Sequence, residues 1–269
     1  KLNNTSKCIQ ARSLGRHCKQ HVTQKHSRHS YQRGHAKGTS RAIPGVSGWK
    51  HCWQSFGEGL KLSKSDKELL KKGSIALGLK QSDESIHKQA LYLELLLEAN
   101  KNISLTGIKN PKEAVIKHTI DSLSVSSAIE GEKIVDIGSG GGTPGIPLAI
   151  ANPEKKFYLV DSVLKKIKFL DEAVKVLELN NIETICDRGE NVDKLSADTV
   201  VSRAFGSLNY LIESSKNMVS KNGLFLAMKG KINQEEISDL VTGFSVLQIQ
   251  EIEVPYLEAT RHFVFIKRK

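Results

Sequence analysis

Val135-Asp136-Ile137-Gly138-Ser139-Gly140-Gly141-Gly142-Thr143-Pro144-Gly145 is a short apolar run that ends in a glycine-rich turn, and its reading decides the fold. Lys133 to Ile137 has the length and composition of a buried strand, and a helical run starts near Gly145. Glycines between the two permit a tight turn and close approach of backbone N–H groups to a ligand. The helix that follows presents the positive end of its dipole. A nucleotide-like cofactor is expected there, beyond the carboxyl ends of the strands. Gly140-x-Gly142-x-x-Gly145 fits the dinucleotide spacing, a pattern weak by itself, and a turn without a ligand is the plain alternative.

Downstream the rhythm is strand, turn, helix, strand. Phe157 to Val160 reads as the second strand, and Val163, Ile167, Leu170, Val174 and Leu177 recur at helical spacing on one face. Ile182 to Cys186, Thr199 to Ser202 and Leu224 to Met228 read as further strands with helices between them. Phe244 to Val254 and Phe263 to Ile266 have no helical segment between them and are expected to form an antiparallel closing pair. Such alternation implies a mostly parallel sheet covered by helices on both faces.

Asp161 closes the second strand, about 20 residues beyond the turn glycines, where a carboxylate can accept hydrogen bonds from ribose hydroxyls. The position suits NAD and S-adenosylmethionine alike, and a helix N-cap ahead of Ser162 and Val163 is its structural alternative.

Upstream of the sheet, Ser65 followed by Glu68 reads as a capping box opening a helix through Ile75, Ala76 and Leu79, interrupted by Gly73 and Gly78. A second helix is expected over 83–100, with Ile86, Ala90, Leu93 and Leu97 on one face. A third is expected over 111–129, with Pro111 in its first turn. Together they make an N-terminal helical cap.

The 269 residues carry 40 Lys and Arg against 29 Asp and Glu, a net charge of +11. All of that excess lies in residues 1 to 61, where Glu58 is the lone acid, and the body that follows is neutral. The division expected is therefore a basic extension over 1–62, a helical cap over 63–130 and a sheet domain over 131–269. The extension lacks sustained apolar periodicity and reads as disordered and non-catalytic. It resembles an organellar transit segment, a nucleic-acid-binding arm, or sequence outside the mature protein.

Cys8, Cys18 and Cys52 share this segment with six histidines, but their spacing fits no paired zinc-ligand pattern, so no metal is expected. Cys186 stands alone in the body, which excludes a disulfide scaffold there, and its place in an apolar strand suggests core. No apolar run approaches the roughly 18 residues a bilayer crossing needs.

From about Ser63 to its end the chain resembles the RsmG (GidB) family of ribosomal small-subunit RNA guanine-N7 methyltransferases. The resemblance rests on ordered blocks. Asn100-Lys-Asn-Ile-Ser-Leu-Thr106 comes first, then Lys117-His118 with Asp121-Ser122-Leu123, then Asp136 through Leu148. Leu159-Val-Asp-Ser162 with Lys165-Lys166 and Phe169-Leu170, Arg188-Gly-Glu190, Ser202-Arg-Ala-Phe205, Met228-Lys-Gly230 and Arg261-His262 complete the set. Residues 1 to about 62 lie outside it.

The resemblance implies an α/β fold, a Rossmann-like class I S-adenosylmethionine-dependent methyltransferase with a mostly parallel sheet and an N-terminal helical cap. It implies S-adenosyl-L-methionine as cofactor, with Gly138 and Thr143 contacting it from the glycine turn, alongside Gly140, Gly142 and Asp161. Gly189 and Glu190 would hold its adenosine part, and Arg203 would be a further cofactor-site and catalytic residue. Lys229, Arg261 and His262, with Arg203, are candidates to meet RNA, and ordinary solvated charge is their alternative. His118 and Asp121 share a helix face and are expected to bond the cap to the sheet domain.

Guanine N7 carries a lone pair and no proton, so the reaction implied needs alignment, not a general base or a covalent nucleophile. Expected partners are small-subunit ribosomal RNA or a ribosomal particle, with no membrane. A cytoplasmic monomer is expected, with organellar import the alternative the basic segment leaves open. Two rival functions stay open on the residues alone. An NAD-dependent dehydrogenase would use the glycine turn with Asp161, and a non-catalytic RNA-binding protein would act through the basic arm.

Overall fold

A computed structural model describes residues 60–269 of the chain. The reading of the extension as unfolded, and Cys8, Cys18 and Cys52, fall outside the described residues. Among the described residues, seven strands form one sheet in the order β3-β2-β1-β4-β5-β7-β6. They are β1 (Lys133–Ile137), β2 (Lys156–Val160), β3 (Ile182–Ile185), β4 (Ala197–Arg203), β5 (Val219–Lys229), β6 (Phe244–Glu253) and β7 (Thr260–Arg268). The first five run parallel, and β7 lies antiparallel between β5 and β6. The expected closing pair is present. The strand order reverses between β1 and β4, the crevice where ligands bind in sheets of this kind.

The helices are α1 (Lys64–Ala76), α2 (Asp83–Ala99), α3 (Pro111–Ala114), α4 (Asp121–Leu123), α5 (Gly145–Ala151), α6 (Leu164–Val176), α7 (Leu208–Ser215) and α8 (Gln234–Ser238). Strand alternation divides the core in two. Ile134, Leu159, Val201 and Leu226 face α1, α2, α5 and α6, whereas Val135, Val160, Val200 and Phe225 face α7. Cap and sheet share the first of these cores. Leu62, Leu70, Leu93 and Leu96 are buried in it beside Ile146, Phe169 and Leu170.

Three local expectations are corrected. The capping box of α1 is Ser63 with Asp66, not Ser65 with Glu68, because the Ser63 hydroxyl accepts the Asp66 N–H and the Asp66 carboxylate accepts the Ser63 N–H. The helix expected over 111–129 is interrupted by a π-helical turn at Val115–Ile120, which joins α3 to α4 and turns His118, Thr119 and Ile120 inward. Between β3 and β4 the expected helix is absent, and the crossover holds one 3₁₀ turn at Gly189–Asn191.

Candidate functional site

Beyond the carboxyl ends of β1, β2 and β3 lies a cavity of about 410 Å³. Gly138, Asp161, Gly189 and Glu190 line it, with Lys166 added from the first turn of α6 and Asp187 and Arg188 from the loop after β3. Gly138 has φ +72°, and a Cβ there would stand 2.2 Å from the Phe205 ring, so only glycine fits between β1 and that ring. At Gly189 a Cβ would stand 2.2 Å from the Ser214 carbonyl oxygen, an atom of backbone that cannot swing aside.

Asp161 is buried and engaged at both oxygens. Oδ1 accepts the Val163 N–H at 2.9 Å, and Oδ2 accepts the Gly140 N–H at 3.0 Å and Lys166 Nζ at 3.3 Å. The N-cap alternative is therefore realised in part, and lone pairs remain for a further donor. Elsewhere in the glycine turn the amides serve the turn itself. Those of Gly138 and Ser139 donate to Val160 O, and those of Gly142 and Thr143 to Ser139 O. The Gly145 N–H donates to Asp136 Oδ2 at 2.9 Å. Amides aimed at a ligand, expected from the glycine content, are not the turn's main use: its glycines allow compactness. Gly142 packs on Ile146 and Leu170, and neither it nor Gly140 lines the cavity.

The carboxylates of Asp161 and Glu190 can accept from hydroxyl groups, and Ile137, Val160 and Val163 add apolar walls, a lining compatible with a nucleoside. The cofactor fits the residues present. Fully buried Asp136 keeps one oxygen without a partner. Burial pushes its carboxyl up to about 7, against the pull of the Gly145 amide and the Arg203 charge.

A second cavity, of about 470 Å³, opens between the π-helical turn and the ends of β4, β5 and β7. Arg203, at the end of β4, crosses to the cap. Its Nη1 donates to the Lys117 carbonyl at 2.6 Å and to Asp121 Oδ2 at 3.1 Å, and its Nη2 reaches His118 Nδ1 at 3.3 Å and the Thr143 hydroxyl. Asp121, almost without exposure, accepts Arg261 Nε on its other oxygen at 2.8 Å.

A guanidinium only donates, so His118 Nδ1 is the acceptor and the ring proton sits on Nε2, which donates to Thr106 Oγ1 at 2.8 Å. Burial first, and the Arg203 charge second, push the His118 imidazole down to about 3, so it is neutral. Lys229 Nζ donates to the Gly206 carbonyl at 2.7 Å and pairs with Glu236 at 2.8 Å.

The residues singled out from sequence thus divide. Gly138, Asp161, Gly189 and Glu190 meet at the first cavity, and Arg203, Lys229 and Arg261 meet at the second. Thr143 touches Arg203. His262 lines neither cavity, although it is the cross-strand partner of Lys229 and lies 3.7 Å from Glu251. The bond expected from His118 and Asp121 to the sheet domain is present, through Arg203. Cys186, expected in the core, is exposed just past the end of β3. β3 is the edge strand, and its last residues lack a neighbour on one side.

Sequence reading missed the double role of Asp121, the anchoring of Thr106 by Asn100 Oδ1 at 3.0 Å, and the part of Phe205 in both cavities. Each lies in a quoted block, but a block gives no direction to a side chain. Among the described residues no helix is long and apolar enough to cross a membrane, and no cluster of His, Cys, Asp and Glu could hold a metal ion.

Comparison with known proteins chooses between the donors that Asp161 left open. Ribosomal RNA small subunit methyltransferase G of Actinobacillus succinogenes is 41% identical over 72% of this chain and 92% of its own length. The same-named protein of Glaesserella parasuis is 37% identical over 77% of this chain and all of its own. The model of the family GidB, rRNA small subunit methyltransferase G, matches residues 85–264, which contain both cavities, and the chain belongs to that family.

Proposed function

We infer that this chain transfers a methyl group from S-adenosylmethionine to N7 of a guanosine in small-subunit ribosomal RNA. Family membership carries the activity and the donor, and the observation that ties them to this chain is the cavity joining Gly138, Asp161, Gly189 and Glu190 at the switch point of the sheet. When bound, the cofactor supplies a methyl group on a positive sulfur. The N7 lone pair forms the new N–C bond while the C–S bond breaks, its electron pair returns to sulfur and the positive charge passes to the purine. No proton moves, so holding the two partners in line is the protein's main contribution, worth on the order of 7 to 11 kcal/mol.

In this reading Asp161 and Glu190 accept from the donor's hydroxyl and amino groups. Gly138 and Gly189 line the adenosine cavity while letting the Phe205 ring and the Ser214 carbonyl pack close behind them, and Gly140, Gly142 and Thr143 shape the turn beneath it. Arg203 is the catalytic residue, supported by its place between Thr143 and the second cavity. Lys229, Arg261 and His262 meet RNA phosphate. N7 faces the deep, narrow major groove of A-form RNA, so the target base is unpaired or splayed. We further propose a basic extension over 1–62, a cap over 63–130 and a methyltransferase domain over 131–269, acting as a cytoplasmic monomer on RNA or on a ribosomal particle.

Labelled methyl transfer to ribosomal RNA from cells that lack the enzyme, followed by mapping of the modified base, tests this reading. One N7-methylated guanosine in the small-subunit RNA is the expected product. Label in large-subunit RNA only, or on a base atom other than N7, overturns it.

A further inference from the structure

We propose that His118 is a positioning residue for methyl transfer: its imidazole, held in one state by Thr106, fixes the direction in which the Arg203 guanidinium faces. The proposal rests on the reading in which Arg203 is the catalytic residue and adds to it the group that aims it.

An arginine side chain is long and takes many rotamers, so a defined place for its guanidinium has to be enforced by acceptors. At Nη1 the acceptors are the Lys117 carbonyl at 2.6 Å and Asp121 Oδ2 at 3.1 Å. Those two hold one corner and leave the plane free to swing about it. The other corner, Nη2, meets His118 Nδ1 at 3.3 Å and the Thr143 hydroxyl. A hydroxyl rotates, and donates as readily as it accepts, so the rigid ring of His118 constrains the second corner more than Thr143 does.

An imidazole can serve in this way in only one of its states. With a proton on Nδ1 it would set N–H against N–H. Thr106 selects the useful state, because its Oγ1 accepts the Ile108 N–H at 3.1 Å and faces Nε2 at 2.8 Å, which keeps the ring proton there. Thr106 is pinned in turn by Asn100, the C-cap of α2. Asn100 Oδ1 accepts the N–H groups of Leu105 and Thr106 at 2.8 and 3.0 Å, and its Nδ2 donates to the Thr106 carbonyl at 2.8 Å. The ring itself is 6% exposed and neutral. His118 lines the second cavity, but both of its nitrogens are committed, so it has no bond to offer a substrate and acts through Arg203.

Two measurements on the full chain test this. Arginine guanidinium signals are recorded by nitrogen-15 NMR, with Arg203 identified by its loss in Arg203→Lys. Rotation about Nε–Cζ exchanges Nη1 with Nη2, and bonds at both corners should keep that exchange slow in the wild type. His118→Leu should speed it by about tenfold or more, whereas His118→Asn, whose amide oxygen can stand in for Nδ1, should leave it slow. Single-turnover methyl transfer to ribosomal RNA, expressed per folded enzyme, should follow the same order. A loss of about 10- to 100-fold is expected in His118→Leu, and a rate within about threefold of wild type in His118→Asn. Thr106→Val keeps the imidazole and removes the group that sets its proton, so its rate should fall in the same direction, with recovery in Thr106→Ser.

Unchanged exchange at Arg203 in His118→Leu overturns the proposal, whatever the rate does. Faster exchange with an unaffected rate overturns it too, because His118 would then order Arg203 without serving the reaction. Equal losses in His118→Asn and His118→Leu would mean that the ring only fills space, and the proposal fails. Should His118→Leu not fold, the contrast between Thr106→Val and Thr106→Ser decides, and equal rates in those two refute it. If the wild type transfers no methyl group to ribosomal RNA, the reaction reading falls, and the exchange at Arg203 alone decides whether His118 fixes it.

Discussion

Asp121 and Arg261, 140 residues apart in the chain, are joined by a 2.8 Å bond between a carboxylate oxygen and a guanidinium nitrogen. The other oxygen of the same carboxylate accepts Arg203 at 3.1 Å. One buried anion thus fixes two cations from two strands on the lip of one cavity, and it reaches them because the π-helical turn ahead of it turns the cap face inward.

Replacing that anion tests the arrangement. Asp121→Asn leaves one acceptor oxygen for two guanidinia in a buried place, and an unfolding free energy lower by about 2 to 4 kcal/mol is expected. Urea midpoints measure it, and a midpoint unchanged from wild type would contradict engagement at both oxygens. Methyl transfer by the folded variant should show a raised KM for RNA, with S-adenosylhomocysteine affinity less affected.

Acid stability should be set by two opposed groups. His118 has a folded value pushed down to about 3 from 6.5, so the unfolded chain takes up a proton first and stability falls as pH drops below 6.5. Asp136 has a folded value pushed up to about 7 from 3.8, so the folded chain holds a proton that the unfolded chain has lost, and stability rises as pH drops below 7. Each slope is about 1.4 kcal/mol per pH unit, and between pH 6.5 and 5 they offset one another. His118→Gln should then gain about 2 kcal/mol over that interval and Asp136→Asn should lose about as much, read by urea titration at the two pH values. Parallel pH profiles for the two variants would refute the assignment.

At Gly138 two penalties act together. Gly138→Ala meets the Phe205 ring and strains a backbone at φ +72°, the latter costing about 1 to 2 kcal/mol. Calorimetry with S-adenosylhomocysteine should show affinity reduced by tenfold or more, about 1.4 kcal/mol. In the double variant with Phe205→Ala the steric part is relieved, and the thermal midpoint should recover in part. No recovery would mean that backbone strain alone accounts for the loss.

Lys229 offers an electrostatic readout. If it meets an RNA phosphate, Lys229→Met should weaken RNA binding similarly across sequences and reduce the slope of log affinity against log salt by about 0.7. Filter binding at several salt concentrations measures that slope. A variant as salt-dependent as wild type would assign Lys229 to its ion pair with Glu236 alone.

Much of this protein was legible in its residues. The short apolar runs ending in turn residues gave the strands because burial on both faces of a parallel sheet leaves a local signature. Gly138 and Asp161 stood out at strand ends for the same reason. The π-helical turn was not legible, since its extra residue per turn changes which side chains face inward without changing composition. Nor was the exposure of Cys186, because an edge strand and a central one look alike until their order in the sheet is known.

The sequence by itself determined the succession of strands, the position of the glycine turn and the family, all of which are written in residues near one another along the chain. Only the tertiary structure decided that Asp121 serves Arg203 and Arg261, and that Phe205 stands between two cavities. Such contacts join segments whose separation in sequence carries no local pattern, and their energy comes from burial and charge pairing that exist only once the chain has closed on itself.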